Sequence, residues 1–244
     1  MPRFFVSANE AGSSLLTLTG ENAQHIRVLR MKPGEPVTVC NGDGTDYACS
    51  VREVRADCVL LDVLDSAPSR TEPAVFCGVF MAFSKADKFE HVIQKATELG
   101  ASEIAAFPSS RCVSRPDDKS LGKKLDRWQK IAASAAEQSG RGRIPKILVL
   151  PSYEAALERA ASYDIPLFPY ENERSVTLRS LLSGAAPASV SIMTGPEGGF
   201  SEEETALALA HGMKVCTLGP RILRCETAPL CALSAVLYAV GALD

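Results

Sequence analysis

Two short stretches hold the residue types that could do chemistry. In TGPEGGFSEEE, Thr194 to Glu204, three glycines fall within five residues (Gly195, Gly198 and Gly199) beside the carboxylate of Glu197. Glycine lets a backbone approach a ligand closely, although a tight strand-to-helix turn would need the same residues. In LGPRILRCETA, Leu218 to Ala228, Arg221 and Arg224 flank Ile222 and Leu223 at the door of a nearly all-apolar helical segment, Glu226 to Ala242. Two cations there need partners, and Glu226 or Glu197 could pair with either of them.

The glycine stretch is not a phosphate loop. It matches neither GxxxxGK[ST] nor GxGxxG, and Glu197 with the acidic run Glu202–Glu204 would repel phosphate. A ligand with hydroxyls, amide-like nitrogens or positive charge fits better. S-adenosylmethionine has an adenine, a ribose, a cationic sulfonium and no phosphate, while sugars and amines meet the same description. Other chemistries have less support, because HExxH and GxSxG are missing and no carboxylates pair at recognisable spacing. His25, His91 and His211 are far apart in sequence, so no metal is expected.

The elements that would position these loops alternate. Strands are readable at 74–83, 103–107, 146–150, 165–168, 190–194 and 213–218, with helices between them. Phe89, Val92, Ile93, Ala96 and Leu99 form one apolar face after Ser84, a plausible N-cap, and Leu121, Leu125, Trp128 and Ala132 form another. Ser201 with Glu204 reads as a capping box. Such alternation implies a mostly parallel sheet covered on both faces, with ligands beyond the carboxyl ends of its strands. The first 65 residues instead read as short strands of a small β-barrel or sandwich, with hairpin chemistry in NGDGTDY (41–47) and one helical stretch, 21–30, placing Ile26 and Leu29 on one side. Ser66 to Pro73 carries two prolines and no apolar periodicity, so the boundary is placed there, giving domains 1–70 and 71–244.

Bulk properties limit the classes. Hydrophobic content is 46%, charged residues are 23% and net charge is −3, ordinary for a globular chain and not for a generic nucleic-acid binder. The charge is unevenly spread: Pro108 to Lys146 holds ten Lys/Arg against four Asp/Glu, whereas Ile147 onward holds six against eleven. A local phosphate-facing surface requires such asymmetry, and a solvated basic helix would produce it too. The N-terminus lacks the apolar core of a signal peptide, and eight dispersed cysteines without CxxC pairing are expected to be reduced, buried thiols of a cytoplasmic protein with no membrane span.

Four motifs in order, IQKATELG (93–100), RWQKIAASAAEQSGRGRIP (127–145), GPEGGFSEEE and LGPRILRCETA, together resemble the RsmE family. PRFFV and HIRVLRMKPGEPVTVCNGDG resemble that family's small RNA-binding domain, so the likeness spans nearly the whole chain. These are SPOUT-class enzymes that methylate N3 of one uridine in 16S ribosomal RNA. The resemblance implies an α/β fold: a C-terminal SPOUT-type parallel sheet with a trefoil knot, plus an N-terminal small PUA-like β-barrel. It also implies bound S-adenosylmethionine and a homodimer working on 16S rRNA within the small ribosomal subunit.

Carried over motif by motif, the cofactor walls would be Thr194, Gly195, Pro196, Glu197, Gly198 and Gly199; Leu218, Gly219, Ile222, Leu223 and Arg224; and, after the strand ending LFPYE, Tyr170 and Glu171. Arg221 or Arg224 would stabilise negative charge on the uridine oxygens, or grip the adjoining phosphate; no residue stands out as general base. Candidates for the RNA path are Arg3, Arg27, Arg30 and Lys32 on the barrel, with Arg111, Arg115, Arg141 and Arg143, and EQSGRGRIP is the best of these because it joins flexible glycines to two arginines. The chain departs from the family at Cys225, where threonine is usual, and at Pro229 and Leu230 in an alanine-rich helix start. If that threonine hydroxyl caps the last helix, a thiol is a weaker substitute that Thr227 or Glu226 would have to offset. A transfer RNA substrate, or a non-catalytic assembly factor with a vestigial pocket, are the competing readings.

Overall fold

The computed structural model describes residues 1–6, 13–113 and 118–243. Two compact units emerge, one from Met1–Glu72 with Ala136–Ile144, the other from Pro73–Ala135 with Pro145 onward.

The N-terminal unit contains β1 (Arg3–Phe5), β2 (Leu15–Thr19), α1 (Gly20–Val28), β3 (Pro36–Cys40), β4 (Thr45–Val54) and β5 (Cys58–Pro68). Its sheet runs β1-β3-β4-β5-β2, antiparallel except for β1 on β3. Period-two alternation drives its burial: Leu16 and Leu18 turn inward while Leu15, Thr17 and Thr19 stay exposed. They meet Phe4, Val37, Val39, Val51, Val59, Leu61 and the α1 residues Ala23 and Ile26 in one core. Register shifts at Ala48/Cys49 and Val51/Glu53 leave Leu64 of β5 and Arg52 of β4 unpaired, bulges that bend the sheet around that core. Two details differ from the sequence reading. Strand β5 continues to Pro68 because Ser66–Pro68 pairs with Thr45–Tyr47. Leu29 is exposed, since the chain leaves α1 at Arg30 (φ 55°), and Ala23 instead accompanies Ile26 into the core.

The C-terminal unit alternates strictly: β6 (Phe76–Ala82), α2 (Ala86–Leu99), β7 (Glu103–Phe107), α3 (Asp118–Gln138), β8 (Lys146–Val149), α4 (Tyr153–Ala161), β9 (Ile165–Pro169), α5 (Leu178–Leu182), β10 (Ser189–Thr194), α6 (Glu202–Ala210), β11 (Lys214–Cys216) and α7 (Thr227–Ala239). All six strands are parallel, in the order β11-β9-β10-β6-β7-β8. Because both faces are covered, the strands are mostly apolar, and every residue of β7 is buried, including Glu103, whose carboxylate accepts from Arg159. Helices α4 and α5, expected between strands but without bounds, start at Ser152 and Thr177, whose hydroxyls accept the amides of Ala155 and Ser180. Lys85, not Ser84, flanks α2, and the Ser84 hydroxyl donates to the Lys85 carbonyl instead of capping. Pro229 sits in the first turn of α7, where amides lack intrahelical partners, so the helix tolerates it. No helix among the described residues is long and apolar enough to cross a membrane. All eight cysteines are free, and Cys231 is exposed rather than buried.

Candidate active site

Strands β11, β9 and β10 are neighbours and parallel, so their carboxyl ends lie along one edge. The loops leaving them (170–176 after β9, 195–201 after β10, 217–226 after β11) enclose a cavity of about 510 Å³. Tyr170, Glu171, Thr194, Gly195, Pro196, Glu197, Gly198, Gly199, Leu218, Gly219, Ile222, Leu223 and Arg224 all line it, and so does Arg221. Residues forty apart in sequence thus share one wall because the sheet order places their strands side by side.

Each loop has its own local cause. In the glycine loop, Gly199 adopts φ +66°, and a Cβ there would lie 2.5 Å from Oε1 of Glu171. Its glycine therefore serves close contact with the protein's own carboxylate. Phe200 anchors the loop, stacking on Phe168 at 4.4 Å between ring centroids. The capping box then opens α6: the Glu204 amide donates to Ser201 Oγ, and the Ser201 amide to Glu204 Oε2. The other Glu204 oxygen accepts from the Ser110 amide at 2.8 Å. Burial alone would raise the Glu204 carboxyl, yet these donated bonds hold it below the ordinary range. That acid fixes the loop and does not enter the cavity.

Loop 170–176 is shaped by Glu173, a residue the sequence reading missed. Its carboxylate accepts from the Ser175 hydroxyl and amide, both at 2.6 Å, and from the amides of Val176 and Arg174. Those bonds pull it down to about 2. Loop 217–226 begins with Thr217, whose amide bonds the Val176 carbonyl and whose hydroxyl meets Gly219. It ends with the Arg224 carbonyl accepting the amides of Thr227 and Ala228. Neither Cys225 nor Thr227 nor Glu226 caps α7 with its side chain.

The arginines of this loop do not take the expected carboxylates. Arg221 and Arg224 are exposed and in no ion pair among the described residues. The partner of both acids is Lys88 on α2, another residue missed from sequence: its Nζ lies 3.2 Å from Glu226 Oε2 and 3.6 Å from Glu197 Oε1. Glu197 also accepts the Lys85 amide at 3.2 Å, and the Cys225 thiol donates to Glu226. Burial works against the Lys88 charge, but Glu226, Cys225 and Glu197 together raise its pKa above the usual lysine value. Burial pushes the Cys225 thiol up to about 11. The signal available in sequence was position alone: Lys88 follows β6, the neighbour of β10 in the sheet.

The expected RNA-contacting residues divide. Arg30, Lys32 and Arg143 are exposed. Arg27 is half-buried and donates to the Arg55 carbonyl, while Arg3 pairs with Asp46 at 2.8 Å. Arg141 is a correction. It is 2% exposed, and Glu72 receives its Nη2 at 2.6 Å and its Nε at 3.3 Å. The same carboxylate accepts the amides of Gly142 and Arg143. Nor is Gly142 a flexible joint, since a Cβ there would overlap Ser69, so Arg141 and Gly142 form a buried clip while Arg143 reaches solvent. Arg111 donates to the carbonyls of Gly198 and Phe200, both at 3.2 Å, and so braces the glycine loop. Arg115 lies outside the described residues. No cluster of three or more His, Cys, Asp or Glu suited to a metal ion occurs among the described residues.

Comparison with known proteins agrees with this architecture. A family model described as RNA methyltransferase domain matches residues 71–237, and one described as RNA methyltransferase PUA domain matches residues 18–61. Sheet, cavity and matches together define the class, an RNA methyltransferase with a PUA-type unit. Over 98% of its length the chain is 36% identical to ribosomal RNA small subunit methyltransferase E of Bacillus subtilis (strain 168), covering 96% of that protein. The corresponding protein of Mesomycoplasma hyopneumoniae (strain 232) is 33% identical, with 94% and 96% covered. The solved structure of the Neisseria gonorrhoeae enzyme of that name, bound to S-adenosyl methionine, superposes with a TM-score of 0.86 at 32% identity, covering 98% of this chain and 97% of that one. The chain belongs to the ribosomal RNA small subunit methyltransferase E family.

Proposed function

We propose that this protein transfers a methyl group from S-adenosylmethionine to N3 of a uridine in the 16S rRNA of the small ribosomal subunit. The observation that carries this reading is the cavity at the ends of β9, β10 and β11, together with its two uncommitted arginines. The residues present fit the cofactor. Glu171 and Glu197 can accept from ribose hydroxyls or an ammonium. Pro196, Leu218 and Leu223 offer apolar surface for a flat ring, and about 510 Å³ is within the range of small-molecule sites. When bound, the cofactor supplies an electrophilic methyl group on a sulfonium.

The chain's own work is placement and charge. Uridine N3 becomes nucleophilic as its proton leaves and negative charge spreads to O2 and O4. Arg221 or Arg224 would stabilise that charge, or hold the neighbouring phosphate. Alignment of N3 with the methyl group supplies much of the remaining acceleration. The target base has to be unstacked to enter, and Arg30, Lys32 and Arg143 are exposed for phosphate contacts by the N-terminal unit. This division of labour corresponds to RNA binding by residues 1–70 and methyl transfer by 71–244. Within the reading also belong a trefoil knot through the cavity loops, action on the small subunit in the cytoplasm, and a homodimer. Pairing of copies is supported by apolar side chains left in solvent, Ile222 (82% exposed) beside the cavity and Tyr238 (74%) on α7.

The test supplies labelled S-adenosylmethionine with either small subunits or naked 16S rRNA, then digests the RNA for mass spectrometry. N3-methyluridine is expected. A methyl group appearing only on transfer RNA overturns the substrate. Absence of cofactor binding by calorimetry at saturating concentration overturns the enzyme reading in favour of an assembly factor.

A further inference from the structure

We propose that Lys88 is a positioning residue that keeps Arg221 and Arg224 free for the anionic substrate by holding the carboxylates of Glu197 and Glu226. The proposal rests on the reading that RNA is methylated in this cavity.

Lys88 Nζ lies between the two acids, 3.6 Å from Glu197 and 3.2 Å from Glu226. The three side chains are each only about one-fifth exposed, 21% for Lys88 and 22% for each glutamate. Carboxylates that far out of water bind a cation strongly if one is within reach, because water no longer competes fully for them. Guanidinium groups are within the same site: Arg221 and Arg224 line the cavity with Glu197, and Arg224 is two residues from Glu226. A guanidinium forked onto a carboxylate is the stronger pairing in general, and one so engaged would have to be released before meeting a phosphate or a uridine oxygen. Lys88 prevents this by occupying both acids from α2, an element that carries neither loop. Its ammonium is a compact point charge on a flexible stem, able to sit between two carboxylates. Glu197 is further committed by the Lys85 amide and Glu226 by the Cys225 thiol. Each acid thus has two partners, Lys88 and one further donor, and neither partner is an arginine.

The alternative is that Lys88 merely staples α2 to the start of α7, or itself touches RNA. Arginine-selective labelling of the cofactor-free protein with phenylglyoxal, mapped by peptide mass spectrometry, separates these without relying on activity. In wild type, Arg221 and Arg224 should label readily. In Lys88→Met, labelling of at least one should fall roughly five-fold or more as it pairs with a freed carboxylate, and RNA kcat/KM should fall about ten-fold or more. Cofactor affinity should change by much less. Adding Glu226→Gln to Lys88→Met should restore most of the labelling and of the RNA kinetics, and Lys88→Arg, which keeps a cation at the position, should keep both near wild type.

Unchanged labelling in Lys88→Met overturns the proposal. So does a Lys88→Met/Glu226→Gln variant that recovers nothing, which a staple or a direct RNA contact would give. If Lys88→Met does not fold, Lys88→Gln takes its place with the same expectations. A wild-type protein that labels as expected but transfers no methyl group to RNA would overturn the functional reading, while the labelling comparison would still judge Lys88.

Discussion

Two arginine motifs in this protein look alike in sequence, yet Arg141 of one is buried while Arg221 and Arg224 of the other stay exposed. Arg141 and Arg143 stand in GRGR, and Arg221 and Arg224 in GPRILR. In the first pair, Glu72 turns its carboxylate onto Arg141 and onto the backbone around it, and the glycine between the arginines packs against Ser69. In the second pair the local acids, Glu197 and Glu226, are turned toward Lys88, and both guanidiniums stay in solvent beside a cavity. A glycine–arginine motif therefore does not announce its role. What decides it is where the surrounding carboxylates are spent, and those carboxylates come from elements distant in sequence.

The contrast is broken most directly by truncating one member of each pair. Arg141→Ala leaves Glu72 with a nearly buried charge and no cation, and removing one partner of a buried pair costs about 3–5 kcal/mol. The urea midpoint should fall accordingly. A loss below about 1 kcal/mol would mean that the Glu72 clip is dispensable. Arg221→Ala should instead leave stability nearly unchanged and reduce methyl transfer about 10²–10³-fold, with a much smaller change in cofactor affinity. Equal losses in transfer and in cofactor binding would contradict a role confined to the substrate.

A smaller effect is expected at Glu173, which organises the third cavity loop as Glu72 organises its clip, through backbone amides. Its folded value near 2 lies below its ordinary 4.5. The charged carboxylate therefore stabilises the fold above pH 4.5, and the contribution is lost as pH falls from 4.5 toward 2. Glu173→Gln should lower the melting temperature at pH 7, and the gap to wild type should narrow once the pH drops below 4.5. A gap that stays constant down to pH 3 would show that the amide-binding network is not what this carboxylate supports.

How much was readable in advance follows the same division. The parallel sheet was legible because its strands are short apolar runs between amphipathic helices, and the capping box of Ser201 and Glu204 was legible because both partners are three residues apart. The thirteen residues expected at the cofactor were reached through motif resemblance, and they line one cavity because the fold places β11, β9 and β10 side by side. Long-range pairings were not legible. Nothing local links Lys88 to Glu226, or Glu72 to Arg141, since sequence separation hides any contact that the sheet order alone creates. Helices α4 and α5 were legible only as connections between strands, without bounds or faces, because they are short, nine and five residues. Leu29 was misplaced because α1 ends one residue before it.

Arg30 sharpens the comparison from a third side, as an arginine that is exposed yet held in a costly backbone conformation. It follows the C-cap of α1 with φ 55°, the left-handed region where glycine or asparagine is usual. A non-glycine residue there gives up about 1 kcal/mol. The Arg30 side chain is exposed, next in sequence to the exposed Leu29 and two residues from Lys32, a position open to a phosphate. Arg30→Gly should therefore raise the denaturation midpoint while weakening RNA binding, and the salt dependence of that binding should flatten by about one phosphate contact. The opposite signs make the experiment informative. Greater stability with unaltered RNA affinity would show that Arg30, like Arg141, is an arginine whose charge never reaches the substrate.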